Sequence, residues 1–141
     1  MLTMNWRRLA VGGMLAGVVL IALSATSTAL FIGRQQLRTA MQGRPAQLFF
    51  VLGFLFLGVL MTWCYAAIRP RFGAGAKTAA MAASTVWLIS VCAVVGVALK
   101  SAAMGEPYSL FAGPMWPMLY LLMMVASAIV GASVYKETQQ R

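Results

Sequence analysis

Residues 73–78 of the chain read Gly-Ala-Gly-Ala-Lys-Thr, a string that could cradle a phosphate group. A P-loop binds phosphate with backbone N–H groups and a lysine, and it needs a glycine directly before that lysine and another five residues earlier. Those two positions hold Ala76 and Arg71, and no buried strand precedes them. The spacing therefore excludes a P-loop. The string is instead interpreted as a basic turn whose cations Arg69, Arg71 and Lys77 contact anionic lipid headgroups.

The thiols are the next candidates for chemistry. Cys64 and Cys92 lie inside apolar segments and form no Cys-x-x-Cys pair. In the helical arrangement derived below, their depths in a membrane differ by about 13 Å, whereas a disulfide needs Cα atoms within about 7 Å. We therefore expect two small, buried, apolar side chains without thiol redox chemistry.

Histidine and methionine, the other residue types that could bind a metal or take part in catalysis, also give no indication of an enzyme or a cofactor site. The chain has no histidine, which removes the commonest general base and a common ligand of metals. Its 11 methionines could suggest a copper(I) path, but they are scattered over all the apolar runs and are typical of flexible apolar filler. The sequence predicts no enzyme, no bound metal and no cofactor.

Hydroxyl groups cluster late in the first apolar run, at Ser24, Thr26, Ser27 and Thr28. Such a cluster could line a polar pocket for a small neutral solute. The alternative is that each hydroxyl bonds back to the carbonyl one turn earlier in its own helix.

The composition is that of a membrane protein. Of the 141 residues, 62% are hydrophobic and 9% are charged, and the mean hydropathy is +0.85. A soluble domain carries about a quarter charged residues. The net charge of +9 comes from cations at the ends of apolar runs, so nucleic acid is not an expected partner.

Four uncharged apolar runs organise the chain, at about 9–33, 46–68, 79–99 and 117–135. Each is of the length that crosses the roughly 30 Å hydrocarbon core as a helix. The sequence thus predicts one transmembrane domain over residues 1–141, an all-α integral membrane four-helix bundle. The first run could instead be a secretory signal with its cleavage site after residues 27–29.

The ends of these runs carry further expectations. The second helix should stop near Ile68 or Arg69, because the residue before Pro70 is pushed out of the helical region. The polar link 34–45 either prolongs the first helix or lies along the interface. Residues 100–118 are expected to form a loop that packs at headgroup level.

Cation counts predict the orientation, because loops rich in Lys and Arg stay in the cytoplasm. With a cytoplasmic N-terminus, seven cations lie inside: Arg7, Arg8, Arg69, Arg71, Lys77, Lys136 and Arg141. Four lie outside: Arg34, Arg38, Arg44 and Lys100. Both termini are therefore predicted to be cytoplasmic.

Small residues indicate where the helices pack. Lipid does not drive helices together, so membrane helices associate through residues that let backbones approach. Gly13 and Gly17 form a GxxxG pair in the first run, and Ser127 and Gly131 share a stripe in the fourth. The motif leaves open whether its partner is a helix of the same chain or of a second copy.

The run from residue 65 to residue 78 reads Tyr-Ala-Ala-Ile-Arg-Pro-Arg-Phe-Gly-Ala-Gly-Ala-Lys-Thr. It resembles a Y-A-A-I-R-P-R-F-G-x-G-x-K-T turn of small uncharacterised bacterial inner-membrane proteins with four predicted spans. The resemblance implies a bacterial cytoplasmic membrane and four helices, and it implies no activity.

Two functions follow as hypotheses. The first is a structural or accessory subunit that packs against a larger membrane complex or forms a homo-oligomer. The second is a facilitative channel or carrier for a small neutral solute. Ion-coupled transport is disfavoured, because it relies on an ionisable group inside the membrane and none falls within the four runs.

Overall fold

The computed structural model of the protein describes residues 5–31, 35, 43–104 and 115–135. Within these ranges the chain forms four helices and no strand: α1 (Trp6–Phe31), α2 (Arg44–Phe72), α3 (Ala76–Ala103) and α4 (Met115–Val134). The expected all-α four-helix bundle is confirmed. Four segments are long and apolar enough to cross a membrane: Trp6–Phe31, Gln47–Phe72, Ala76–Lys100 and Pro117–Val134.

Helices that follow one another in the chain pack side by side. α1 contacts α2 and α4, α3 contacts the same two helices, and α2 also meets α4 across the bundle. The turn between α2 and α3 is only three residues long, so these two helices run antiparallel. Each helix thereby leaves one face outside the bundle.

α1 starts with an asparagine cap. The Asn5 side-chain oxygen accepts a hydrogen bond from the backbone N–H of Arg8 at 3.1 Å, and its carbonyl oxygen accepts one from Leu9 at 2.9 Å. Asparagine is among the best residues for this position, because its side chain satisfies an N–H group that has no partner inside the helix. The first helical turn therefore contains Arg7 and Arg8.

α2 ends later than expected. It continues through Arg69 and Pro70 to Phe72, so the prediction that it stops at Ile68 or Arg69 is wrong. Proline removes one N–H donor from a helix, here the donor to the Ala66 carbonyl, and the helix nevertheless continues for two more residues. Gly73 then closes the helix with φ of 80°, and its N–H donates to the Arg69 carbonyl at 2.8 Å.

α3 also exceeds the expected run, because it extends past Lys100 to Ala103. Its first turn is held to the end of α2 by Thr78, a buried residue whose hydroxyl donates to the Gly73 carbonyl at 2.9 Å. The predicted polar link 34–45 lies largely outside the described residues. Residues 105–114 of the predicted headgroup-level loop 100–118 also lie outside them.

Large side chains fill the bundle centre. Leu20 of α1, Met61 of α2 and Met124 of α4 are all 0% exposed, and Val86 of α3 packs with them in one buried cluster. The outer surface is also apolar, since Phe49 is 82% exposed. Apolar groups both inside and outside are what a protein surrounded by lipid tails requires. The chain is therefore a multi-pass membrane protein.

Candidate functional site

A close helix contact joins α1 to α2 through three glycines. A Cβ atom placed on Gly13 would lie 2.6 Å from the Val59 Cα, and one on Gly17 would lie 2.7 Å from the Leu55 Cα. A Cβ on Gly58 would overlap the backbone of both Gly13 and Gly17. Cβ atoms essentially never come within 3.0 Å of a non-bonded heavy atom outside their own and the neighbouring residues. Only glycine fits at these three positions without a backbone shift.

A second close contact joins α1 to α4. A Cβ atom on Gly12 would lie 2.7 Å from the Gly131 carbonyl oxygen, and one on Gly131 would lie 2.8 Å from the Gly12 carbonyl oxygen. Thr62 of α2 borders the same contact. A Cβ atom on Gly12 would lie 3.4 Å from the Thr62 methyl carbon, and a Cβ atom on Gly131 would lie 3.0 Å from the Thr62 hydroxyl oxygen. Three helices thus meet around Gly12 and Gly131.

The four residues proposed from the sequence as packing residues all lie at helix contacts or in the bundle interior. Gly13 and Gly17 face α2, Gly131 faces α1, and Ser127 is 0% exposed with its hydroxyl bonded to the Met123 carbonyl at 2.8 Å. The GxxxG of α1 is thus occupied by a helix of its own chain.

Gly12, Gly58 and Thr62 were not predicted from the sequence as packing residues. Their signal was present as small residues spaced by four, Gly12 with Ala16 and Gly58 with Thr62. Such small-xxx-small pairs mark helix contacts in membranes. The GxxxG of α1 is the most familiar form of the pattern, whereas the pair opposite it in α2 combines one glycine with a threonine.

The hydroxyl cluster of α1 divides into two kinds. Thr26 and Thr28 donate to the carbonyl groups of Ala22 and Ser24 in their own helix, each at 2.8 Å. Ser27 donates instead to the Met123 sulfur of α4 at 3.3 Å. Ser24 is 7% exposed, and its hydroxyl has no hydrogen-bond partner among the described residues. The back-bonding alternative therefore holds for the two threonines, and the two serines point to the interior.

Two tyrosines and an arginine pack together at the end of the bundle where α2 stops. The rings of Tyr65 and Tyr135 meet edge to face, with centroids 6.1 Å apart and planes at 88°. The Arg69 guanidinium carbon lies 5.7 Å from the centre of the Tyr135 ring. This is cation–π distance, since the ring face carries partial negative charge. Arg69 is half-buried, and this contact joins it to the residue that directly follows α4.

The other two cations proposed for headgroup contact are exposed. Arg71 lies in the last turn of α2 and Lys77 in the first turn of α3. Gly73 and Gly75 between them have φ of 80° and 152°, conformations that glycine adopts without steric cost. The turn therefore presents Arg71 and Lys77 at the surface, whereas Arg69 is directed inward.

The cysteines differ from each other in their surroundings. Both are free thiols; Cys64 is half-buried in α2 and Cys92 is exposed on α3. The expectation that both are buried is wrong for Cys92. Apolar character alone does not place a residue inside a membrane protein, because a lipid-facing position favours the same residue types.

The fold and these contacts define the class: a multi-pass membrane protein built as a four-helix bundle with glycine-mediated helix contacts. No protein-family model matches the chain, and the searches of curated proteins and of solved structures find no significant match either.

Proposed function

We propose that the protein is a structural or accessory subunit of a membrane complex, one that packs against other membrane proteins through its outer surface. The single observation that carries this proposal is the filled interior. Leu20, Met61 and Met124 are fully buried at the bundle centre. A path for a solute would need a water-filled or polar cavity in that place, because polar groups are costly in an apolar environment.

The glycine contacts support the same function. Gly58 sits against the backbone of Gly13 and Gly17, and Gly12 sits against Gly131. These contacts leave no room for side chains between the helices. Any movement that opened a passage between α1, α2 and α4 would therefore break the close packing of their backbones. A rigid bundle suits a scaffold better than a carrier that must alternate between two states.

The second half of α3 supplies surface for a partner. Residues 92–96 are all exposed, as are Leu99 and Lys100. A Cβ atom added to Gly96 would meet no heavy atom within 4 Å. This stretch therefore contributes little to the bundle of its own chain. We propose that it contacts either a larger membrane complex or a second copy of the chain.

The proposed setting is the bacterial cytoplasmic membrane, with both termini in the cytoplasm. The excess of cations on the N-terminal side supports this orientation, and the resemblance of residues 65–78 to bacterial inner-membrane proteins supports the compartment. Accessibility of single cysteines placed in residues 73–75 and in residues 36–42 tests the orientation. The first group should react from the cytoplasmic side and the second from the opposite side.

A facilitative carrier or channel for a small neutral solute is the second candidate. The observation that favours it is the buried Ser24 hydroxyl, which lacks a hydrogen-bond partner among the described residues. A buried hydroxyl without a partner is costly, and a polar solute could satisfy it. Ser27 on the same helix is also directed inward, toward Met123.

Two experiments separate these functions. Gentle extraction from native membranes, followed by mass measurement and identification of co-purifying proteins, should yield a particle larger than one subunit. A chain that runs alone at the mass of one subunit would refute the accessory function.

The variant Ser24→Ala/Ser27→Ala, compared with Thr26→Val/Thr28→Val in reconstituted vesicles, tests the carrier. Loss of solute flux with the serine pair only would favour it.

A further inference from the structure

Exposed cations from three helices lie at one end of the bundle. Arg7 and Arg8 are in the first turn of α1, Arg71 is in the last turn of α2, and Lys77 is in the first turn of α3. All four side chains are exposed. They are far apart in the sequence, and the fold places them on the same end of the molecule.

Contacts beneath the cations place the start of α1 beside the later part of α2. Gly13 of α1 lies against Val59 of α2 and Gly17 against Leu55, so the two helices run antiparallel. At this end Tyr65 of α2 and Tyr135 after α4 form a small buried cluster. α2 continues seven residues beyond Tyr65 to Phe72, about 10 Å at 1.5 Å per residue. Arg71 therefore stands above this cluster, while the Arg69 side chain lies over the Tyr135 ring.

Among the described residues, the charges at this end are all positive. The described residues contain neither aspartate nor glutamate, and the opposite end has only Arg44 and Lys100 among them. The partner that fits this end must therefore be anionic. A membrane protein meets anionic groups in phospholipid headgroups, which attract cations near the surface.

Two exposed indoles favour a partner that also has an apolar part. Trp6 is 64% exposed beside Arg7, and Trp63 is 45% exposed two residues before Tyr65. Tryptophan is enriched at the level of the headgroups, where its ring contacts the upper acyl chain and its N–H contacts polar groups. Phosphate oxygens above and acyl chain below are the chemistry of a phospholipid rather than of a free phosphate ion.

We propose that this end of the bundle is a binding site for anionic phospholipid headgroups, formed by four cations: Arg7, Arg8, Arg71 and Lys77. Arginine and lysine donate hydrogen bonds to phosphate oxygens, and Trp6 and Trp63 flank the acyl chains. Arg69, proposed from sequence as a third headgroup contact of the turn, acts here by positioning: it joins the end of α2 to Tyr135. The site requires no protein partner, so its failure would leave the accessory function intact.

The test uses the full chain purified in a neutral detergent, with phosphatidylglycerol and phosphatidylcholine as separate probes. Native mass spectrometry counts retained lipid, and a titration measures its affinity. Wild-type protein should retain phosphatidylglycerol in preference to phosphatidylcholine. The variant Arg71→Gln/Lys77→Gln should bind phosphatidylglycerol roughly 25-fold more weakly, or about fivefold per cation.

The matched control is Arg44→Gln/Lys100→Gln, which removes two exposed cations from the opposite end. Its affinity for phosphatidylglycerol should stay close to that of wild type. The variant Arg7→Gln/Arg8→Gln supplies a second measurement at the proposed site, should the turn variant not fold. Added salt should weaken binding, because exposed charges are screened.

Three results would overturn the proposal. The first is equal retention of the two lipids by the wild-type protein. The second is an equal loss of affinity in the control variant, which would indicate attraction by net charge alone. The third is full displacement of phosphatidylglycerol by excess inorganic phosphate, which would make the site one for the free ion.

Discussion

Gly12 of α1 and Gly131 of α4 face each other so closely that neither can carry a side chain. A Cβ atom on either residue would lie within 2.8 Å of the carbonyl oxygen of the other. Gly58 makes the equivalent contact between α2 and α1. These contacts involve three of the four helices, so the stability of the bundle depends on a few positions without side chains.

Gly58→Ala should destabilise the folded bundle, and Gly53→Ala in the same helix should not. The added methyl at residue 58 would overlap the backbone of Gly13 and Gly17, whereas one at residue 53 would meet no heavy atom within 4 Å. Overpacking typically costs about 1–3 kcal/mol. The measurement is the loss of helical circular dichroism on SDS titration in mixed micelles. Equal midpoints for the two variants would contradict the close contact.

Gly131→Ala should loosen α4 from α1, and Gly96→Ala in α3 is its control. The Cβ on Gly131 would lie 2.8 Å from the Gly12 carbonyl and 2.9 Å from the Ala16 Cβ, whereas that on Gly96 has open space. Hydrogen exchange at the second half of α4 should become faster in the first variant only. Unchanged exchange in Gly131→Ala would show that α4 packs on α1 elsewhere.

Thr78→Val should weaken the turn between α2 and α3. The Thr78 hydroxyl donates to the Gly73 carbonyl at 2.9 Å and is buried, so valine would leave that carbonyl without this donor at a cost of about 1 kcal/mol. Thr85→Val is the matched variant, because the exposed Thr85 bonds only to Met81 within its own helix. Proteolysis near residues 73–75 should accelerate in Thr78→Val and remain at the wild-type rate in Thr85→Val.

Trp87→Phe should release the start of α4 from α3. The Trp87 indole N–H donates to the Pro117 carbonyl at 2.9 Å, and hydrogen bonds between membrane helices contribute about 0.6 kcal/mol on average. Trp63→Phe removes an indole that is 45% exposed on α2 and serves as the comparison. Exchange of the amides after Pro117 should rise in Trp87→Phe. A matching rise in Trp63→Phe would refute a specific role for the Trp87 bond.

Tyr135→Leu should destabilise the contact between α2 and α4, whereas Tyr135→Phe should retain it in part. Phenylalanine keeps the ring that meets Tyr65 edge to face and that Arg69 covers. A partly buried cation–π contact contributes about 1–2 kcal/mol, and an aromatic pair contributes about 0.5–1.5 kcal/mol. The free energy of unfolding in detergent should therefore fall further for leucine than for phenylalanine. The reverse order would show that the rings do not hold these ends together.

The sequence by itself determined that the chain forms apolar helices of membrane-spanning length. That follows from composition and from the position of every charge at the end of an apolar run, both of which are local properties. It also showed that Gly13 and Gly17 could support close packing. It did not place α2's end correctly, because the restriction before Pro70 is local, whereas the helix is closed at Gly73, which also accepts the hydrogen bond from Thr78.

Only the tertiary structure decided which surfaces meet. Gly12, Gly58 and Thr62 contribute to close packing because of the residues that face them on other helices. The sequence pattern within one helix does not indicate which residues will face it. The same holds for Cys92, exposed although apolar, and for Arg69, which packs on Tyr135 rather than facing outward. In a membrane the lipid-facing and buried sides of a helix favour the same apolar residues. Hydrophobicity therefore predicts that a helix spans the bilayer, and packing geometry decides which of its faces is inside.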